Sequence, residues 1–293
     1  MQFERLALIG CGLMGGSFAL ALRQAGAVDR VAGYSARAST RAQALARGVI
    51  DEDCSSVAQA VTGADLVLLA VPVQAMPQSL AAMAPHLSPQ TLLMDVGSTK
   101  CDAVTAARTH LGERLACFVP AHPMTGKEVA GIEHAEATLY AGHQVILTPL
   151  PETPEALVLK AQTLWQQLGS RVCCLSPEVH DAAVAAVSHL PHLAAFALVN
   201  AVARQPEGAR YLSLAGPGFR DFSRIAASDP QVWRDILRVN RDQVLQQSAL
   251  LRAALGEFET AMRSADDDRL FKLIDEARQT RSRWRLGGAD TDL

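Results

Sequence analysis

Three glycines stand near the start of the chain, in the sequence GCGLMG at residues 10–15. They follow a short apolar run and precede an amphipathic stretch, as the loop between a β-strand and a helix does. In a dinucleotide-binding loop the first glycine permits a tight turn, the second lets the backbone approach a pyrophosphate, and the third lets the helix pack on the strand. The sequence therefore predicts a dinucleotide site whose loop and helix start are formed by Gly10, Gly12, Leu13, Met14 and Gly15.

The residues after the second predicted strand carry hydroxyl and guanidinium groups instead of a carboxylate. An NAD enzyme usually places an acid about 20 positions after the glycines to bind the ribose hydroxyls. Guanidinium groups instead bind a 2′-phosphate, which a carboxylate would repel. We therefore expect NADP to be preferred, with NAD as the alternative cofactor, and we expect the contacts to come from Ser35, Arg37 and Thr40, with Ser39 and Arg41 beside them. The alternative interpretation is a solvated helix start.

Five later segments carry histidine, serine, arginine and acidic residues in particular patterns: DVGSTK at 95–100, AHPMTG at 121–126, SHLPH at 188–192, GFRDFSRIA at 218–226 and DPQVWR at 229–234. Together and in this order they resemble the prephenate and arogenate dehydrogenase family. The resemblance runs from Gly10 to about Trp233. It implies oxidative decarboxylation of a cyclohexadienol in tyrosine biosynthesis, with hydride transfer to a nicotinamide.

Removing hydride from a carbinol requires a group that takes or shares the hydroxyl proton, and a neutral histidine can do this near neutral pH. His122 matches the catalytic histidine of the family and follows the predicted strand at residues 117–119. Ser98 matches a serine that hydrogen-bonds the same hydroxyl. The alternatives are a structural histidine in a His-Pro turn and a serine that caps the helix after residue 100.

The substrate that the resemblance implies is at least a dianion, so a buried arginine should clamp a carboxylate through a bidentate fork. Arg224 matches this arginine, although an isolated arginine is more often on the surface. In the SHLPH segment, a proline should kink an apolar helix and turn side chains toward the cleft. The family resemblance also implies substrate contacts by Ser188, His192 and Thr125, and by Asp221 in the partner's site of a dimer. The roles of Lys127 and His189 stay open.

Short apolar runs that alternate with helical patterns must position these groups. We predict strands at residues 6–10, 31–34, 66–71, 91–96, 117–119, 144–148 and 171–175, and helices at 13–25 and 40–47. After residue 176 the strand signals end, and helices are predicted at 178–204, 231–255 and 266–283. The sequence therefore predicts an α/β Rossmann domain with a doubly wound parallel sheet at residues 1–176, and an all-α substrate and dimerisation domain at 177–293.

The composition points to a small-molecule partner. The chain has 293 residues, 49% of them hydrophobic, and a net charge of −3, which gives no electrostatic reason to expect nucleic acid or an anionic membrane. The six cysteines lack paired spacing, and neither they nor His189 with His192 have zinc-ligand spacing, so we expect no metal. The first residues show neither a signal peptide nor a spanning helix, which predicts a cytoplasmic protein. Apolar faces on the C-terminal helices predict a homodimer.

Two other functions remain open at this stage. A β-hydroxyacid dehydrogenase has a similar two-domain plan, but it uses a lysine in the first long helix of its second domain. The four lysines here are Lys100, Lys127, Lys160 and Lys272, and none lies at residues 178–204, which argues against this alternative. A protein that senses NADP without turnover would need no base and no carboxylate clamp. No residue decides between prephenate and arogenate, or shows whether tyrosine inhibits.

Overall fold

A computed structural model describes residues 1–127 and 129–284 of the chain. Its N-terminal part is a six-stranded parallel sheet in the order β3-β2-β1-β4-β5-β6. The strands are β1 (Phe3–Ile9), β2 (Val28–Tyr34), β3 (Glu52–Asp53), β4 (Leu66–Leu69), β5 (Leu92–Asp95) and β6 (Phe118–Val119). The helices are α1 (Leu13–Gln24), α2 (Ala38–Ala46), α3 (Val57–Val61), α4 (Met76–Met83) and α5 (Cys101–His110). This strand order is that of a Rossmann domain and confirms the predicted fold class.

The central strands are buried on both faces, as the near-continuous apolar runs predicted. Every residue of β4 and of β5 is buried. Two separate hydrophobic clusters cover the two faces of the sheet. A parallel sheet needs this double cover because its crossover helices lie on both sides. The two-residue strand β3 was not predicted, since a pair of acidic residues carries no strand signal.

A second sheet corrects the prediction of one continuous sheet. It consists of β7 (Ala121–Pro123), β8 (Gln144–Leu147) and β9 (Arg171–Cys174), with α6 (Glu155–Gln167) between the last two. β7 runs antiparallel to β8, and β8 runs parallel to β9. Our predicted strands at 144–148 and 171–175 therefore exist, but they belong to this second sheet and do not extend the six-stranded sheet. Periodicity identifies a strand without identifying its partner.

One long helix, which contains a π-helical turn, links the N-terminal α/β part of the chain to the C-terminal helical part. It comprises α7 (Pro177–Val184), a π turn (Ala185–His189) and α8 (Leu190–Ala203). Pro191 has no amide hydrogen to donate to the carbonyl four residues earlier. The π turn directly before α8, in which hydrogen bonds run to the fifth residue back, accommodates Pro191, and the helix continues. In place of the predicted kink, the helix is locally wider at the π turn.

The remaining helices are α9 (Gly208–Ser213), α10 (Pro217–Ser223), α11 (Pro230–Val239), α12 (Arg241–Arg263) and α13 (Asp267–Arg283), with a 3₁₀ turn (Arg224–Ala227) after α10. Our prediction of a single helix at 231–255 was wrong, because the helix is interrupted at Asn240, whose φ is −92° and ψ is 27°. The buried amide of Asn240 donates to the carbonyl of Asp181 at 2.8 Å and to Nδ1 of His189 at 3.1 Å. The predicted C-terminal domain extends to residues 285–293, which lie outside the described residues.

A buried ion pair fixes the loop after β5 to strand β7. Nζ of Lys100 donates to Oδ2 of Asp95 at 2.5 Å and to the carbonyl of Ala121 at 2.7 Å, and both charged side chains are fully buried. Oδ1 of Asp95 accepts from the amide of Ala121 at 3.0 Å. The pair therefore holds the residue that precedes His122 by both of its backbone groups.

Replacing Lys100 with Met should leave the Asp95 carboxylate buried in the core without its cationic partner. We expect Lys100→Met to lower the free energy of unfolding by about 3–5 kcal/mol, measured by urea denaturation at fixed protein concentration. The control Lys272→Met, at a lysine with a 67% exposed side chain, should change it by less than about 0.5 kcal/mol. Removing both charges in Asp95→Asn/Lys100→Met should be less damaging than the sum of the two single changes. A loss below about 1 kcal/mol for Lys100→Met contradicts this role of the ion pair.

Candidate active site

The glycine loop has the shape that a pyrophosphate requires. Gly10 has φ +105°, and a Cβ there would lie 2.2 Å from the carbonyl oxygen of Ala70. A Cβ on Gly15 would lie 2.1 Å from the carbonyl oxygen of Gly10. At Gly12 a Cβ would meet no atom within 4 Å. The first and third glycines are therefore forced by packing, whereas the second leaves open space in front of the backbone, where a phosphate fits.

The N-terminus of α1 supplies donors to this open space. Gly16 donates to the carbonyl of Gly12 at 2.8 Å, so the amides of Leu13 and Met14 precede the helical ladder and can donate to an anion. The buried hydroxyl of Tyr140 donates to the carbonyl of Met14 at 2.6 Å and fixes the first turn of the helix. These features fit the pyrophosphate of a dinucleotide cofactor.

The end of β2 carries the predicted cofactor residues, together with an acid that comes from another strand. Oγ of Ser35 accepts from the amide of Cys11 at 2.8 Å, which ties this position to the glycine loop. Arg41 donates to the carbonyl of Ser35 at 2.6 Å and pairs with Asp53 of β3 at 2.5 Å. Arg37 is exposed just before the start of α2, and Thr40 is half-buried in its first turn. The spacing of residues along the sequence did not predict that the Asp53 carboxylate lies here.

His122 lies inside strand β7 and is 8% exposed. Its Nδ1 lies 2.8 Å from Nε2 of His180. Burial, and then the charges of neighbouring groups that include Lys100, holds the pKa of His122 well below its usual value. Its imidazole is therefore neutral near neutral pH, as a proton acceptor must be. His122 thus lies in strand β7 beside a buried partner, His180, and not in the isolated His-Pro turn of the alternative interpretation.

The N-terminus of α5 is capped by Asp181 of α7. Its Oδ1 accepts from the amide of Lys100 at 2.8 Å, and its Oδ2 accepts from the amide of Cys101 at 2.9 Å. Burial acts to raise the pKa of Asp181, but hydrogen bonds from His180 and from these amides outweigh it, so the pKa lies below its usual value. Ser98 lies half-buried in the loop between β5 and α5, two residues before Lys100. Asp181 therefore caps α5, and Ser98 does not take the capping role of the alternative interpretation.

The SHLPH segment brings three aromatic rings together beside the π turn. Nδ1 of His192 donates to the carbonyl of Ser188 at 2.9 Å, and its ring stacks on Trp233 with centroids 3.6 Å apart. His189 is 1% exposed and accepts from Asn240, and burial lowers its pKa to about 4. His189 is therefore a hydrogen-bonded core histidine, whereas His192 and Ser188 stay half-buried.

Arg224 and Asp221 are exposed in the single chain, on the short segment that packs against α8. This corrects our expectation of a buried Arg224, because the 3₁₀ turn that carries it buries none of its residues. Asp221 accepts from the adjacent Arg220 at 2.9 Å. Thr125 lies in the loop after β7 and donates to the carbonyl of Leu139 at 3.2 Å. Lys127 pairs with Glu136 at 2.9 Å on the same loop.

Sequence reasoning missed five residues that the structure places around these groups: Asp95, Lys100, His180, Asp181 and Trp233. Three of them fall inside segments that we singled out, but the motifs were used only for the residues with an obvious reactive group. His180 and Asp181 stand together near the start of the long apolar helix at residues 177–203. Two ionisable residues in such a helix are a usable signal, since buried charged groups are normally paired.

Comparisons with known proteins agree with this architecture. Residues 18–174 match the family model described as prephenate dehydrogenase, nucleotide-binding domain, and residues 176–276 match prephenate dehydrogenase, dimerization domain. The cyclohexadienyl dehydrogenase of Zymomonas mobilis is 34% identical over 281 residues, which is 95% of both chains.

Two solved structures extend the comparison to three dimensions. The complex of Aquifex aeolicus prephenate dehydrogenase with hydroxyphenyl propionate and NAD+ is 33% identical, with a TM-score of 0.90 over 96% of this chain and 98% of that one. Synechocystis arogenate dehydrogenase is 28% identical, with a TM-score of 0.83 over 95% and 99% of the two chains. The β-hydroxyacid dehydrogenase alternative is therefore set aside, and the chain belongs to the prephenate dehydrogenase family.

Proposed function

We propose that this protein oxidatively decarboxylates prephenate, arogenate or both, and yields 4-hydroxyphenylpyruvate or tyrosine. One observation carries the proposal. A buried, neutral histidine, His122, follows the carboxyl end of β6, at the edge of the sheet where the glycine loop also lies. Open α/β sheets bind their ligands at this edge. A proton acceptor and a dinucleotide loop at one edge of the sheet are the two parts that dehydrogenation of a carbinol needs.

The chain's own groups handle a proton and a carboxylate. The bound nicotinamide supplies the hydride acceptor. Nε2 of His122 takes the proton of the ring hydroxyl as that carbon is oxidised, and Ser98 orients the hydroxyl. The ring carboxylate then leaves as CO₂ and its electron pair aromatises the ring, so His122 returns the proton to the phenolate oxygen. No net proton is consumed.

Binding of the substrate carboxylates falls to a second group of residues. In this proposal Arg224 clamps one carboxylate through its guanidinium fork. Ser188, His192 and Thr125 line the site, and Asp221 reaches the site of a neighbouring subunit. The exposure of Arg224 and Asp221 in one chain supports a site that a second copy completes. Lys127 keeps no assigned role.

A homodimer through the C-terminal helices is part of the same proposal. An 18-residue window of the helix at residues 177–203 has a mean hydropathy of 1.7, and 22% of this window is buried, so by length and composition the helix could also cross a membrane. Its His180 and Asp181 are buried against the α/β part, and several large apolar side chains on α12 and α13, Leu245, Leu250, Leu255, Met262, Phe271 and Ile274, are exposed. A second copy would cover these surfaces. We place the dimer in the cytoplasm.

For the cofactor we propose a preference for NADP over NAD. Arg41 is committed to Asp53 and to the carbonyl of Ser35, and Asp53 offsets its charge. Arg37 is exposed just before α2, and we assign it the contact with a 2′-phosphate. The hydroxyl of Ser35 accepts from Cys11 and keeps its own hydrogen to donate.

The activity is tested by incubating the purified protein with each substrate and each cofactor and following the absorbance of the reduced nicotinamide. We expect turnover, and His122→Asn should lower kcat by about 10²–10⁴-fold while cofactor affinity stays unchanged, because only the proton acceptor is removed. His143→Asn, at an exposed histidine, is the control and should behave as wild type. No turnover with either substrate overturns the activity, and an unchanged kcat in His122→Asn overturns the role of His122.

Arg224→Ala should weaken substrate binding. A hydrogen bond to a charged group contributes about 1.5–3 kcal/mol, so KM should rise about 10- to 100-fold, with a smaller change in kcat. Arg234→Ala, whose side chain is 65% exposed and pairs with Asp235, is the matched control. If steady-state kinetics give a normal KM for Arg224→Ala, the carboxylate clamp lies elsewhere.

Arg37→Ala should reduce kcat/KM with NADP by about 10- to 100-fold, since it removes a charged contact to the 2′-phosphate. The value with NAD, which lacks that phosphate, should stay within about twofold because no such contact is lost. Arg47→Ala, just after the other end of α2, should leave the ratio of the two cofactors unchanged. Equal losses with both cofactors, or none, would rule out this basis for NADP preference.

A further inference from the structure

Three buried side chains form a continuous hydrogen-bonded row that ends at His122. Nδ1 of His122 lies 2.8 Å from Nε2 of His180, and Nδ1 of His180 lies 2.8 Å from Oδ1 of Asp181. His180 is 0% exposed and Asp181 is 4% exposed. The two imidazole rings meet edge to face, 66° apart. None of the roles assigned above uses His180, although it contacts the proposed base directly.

The hydrogen-bonding capacity of each atom restricts where the protons of the row can lie. The Asp181 carboxylate can only accept, and it already accepts from two backbone amides. Nδ1 of His180 must therefore carry a hydrogen. In neutral His180 the Nε2 atom then carries a lone pair and accepts from Nδ1 of His122. Neutral His122 is left with its lone pair on Nε2, which is the atom that must take the substrate proton.

The opposite arrangement places a proton on His180 and makes it a cation. Nε2 of His180 would then donate to Nδ1 of His122, and Nε2 of neutral His122 would carry a hydrogen and could not act as a base. The assignment of His122 as the base therefore requires the neutral row.

The same row offers a place for the proton during turnover. When Nε2 of His122 gains the substrate proton, the hydrogen on Nδ1 is shared with Nε2 of His180. The positive charge then moves toward the Asp181 carboxylate. Returning the proton to the phenolate oxygen reverses each transfer, so the row ends the cycle as it began.

We propose that His180 and Asp181 are positioning residues that fix the tautomer of His122 and stabilise the proton it accepts. This rests on the proposed function, in which His122 is the base. Asp181 couples this task to the fold, because the same carboxylate caps α5 and so sets the distance between α7 and the loop that carries Ser98.

Substitutions of His180 test the proposal by steady-state kinetics. His180→Phe keeps a ring at this position and removes the acceptor, so kcat should fall about 10- to 100-fold, the size of effect seen for groups that orient a metal-binding histidine, while KM changes little. The melting temperature should fall, because Asp181 loses one of its buried hydrogen-bond donors. The amide oxygen of His180→Gln can still accept from His122, so this variant should retain most of kcat. His143→Phe, at an exposed position, is the control. Wild-type kcat in His180→Phe overturns the proposal.

A double-mutant cycle separates positioning from a general structural effect. If His180 acts through His122, His180→Phe should lower kcat no further in a His122→Asn background, because residues that act as a unit are not additive. The same fold loss in both backgrounds overturns the proposal. The proposed function fails by a different result, namely wild-type kcat in His122→Asn alone.

The tautomer can be measured without relying on any His180 variant. In wild-type protein labelled with ¹⁵N-histidine, the signals of His122 are identified by their loss in His122→Asn. We expect the chemical shifts to show a protonated Nδ1 and an unprotonated Nε2 at neutral pH. A protonated Nε2 overturns the proposal even if His180→Phe fails to fold.

Discussion

Four hydrogen bonds converge on Asp181, and the relation between the two parts of the molecule depends on them. Its carboxylate accepts from the amides of Lys100 and Cys101 and from His180, and its carbonyl accepts from Asn240. A buried carboxylate at a helix N-terminus is stabilised by the free amides and the helix dipole, but it must be fully hydrogen-bonded to be tolerated there. This requirement fixes α7 against α5, and with it the helical part against the sheet.

The chemistry of the site follows from how buried charges are arranged around that contact. Lys100 and Asp95 compensate each other in the core and hold the backbone of Ala121, so His122 has little freedom to move. Burial and the charge on Lys100 then disfavour a proton on His122. His122 is therefore kept neutral and is held in place by the same environment, and its location inside a strand of the second sheet gives it a rigid support.

Much of the fold and the general location of the site were predictable from local signals. Glycines that packing forces, such as Gly10 and Gly15, have a spacing that a sequence displays directly, and buried strands such as β4 appear as apolar runs. Pairings between distant segments were not predictable. The contacts of Asp53 with Arg41, of β7 with β8, and of Asp181 with α5 join residues whose local patterns contain nothing about their partners. Asn240 breaks a helix because of what its side chain contacts, and its own propensity does not show this.

The sequence by itself determined the dinucleotide loop, the alternation that builds a parallel sheet, and the segments that carry Ser98, His122 and Arg224. These features depend on backbone sterics and on hydrophobic periodicity, which act over a few residues. Only the tertiary structure decided that His122 contacts a second histidine, that Asp181 supplies the cap of α5, and that Arg224 is exposed in one chain. Protonation and burial depend on neighbours brought together by folding, and so they could not be obtained from the order of residues alone.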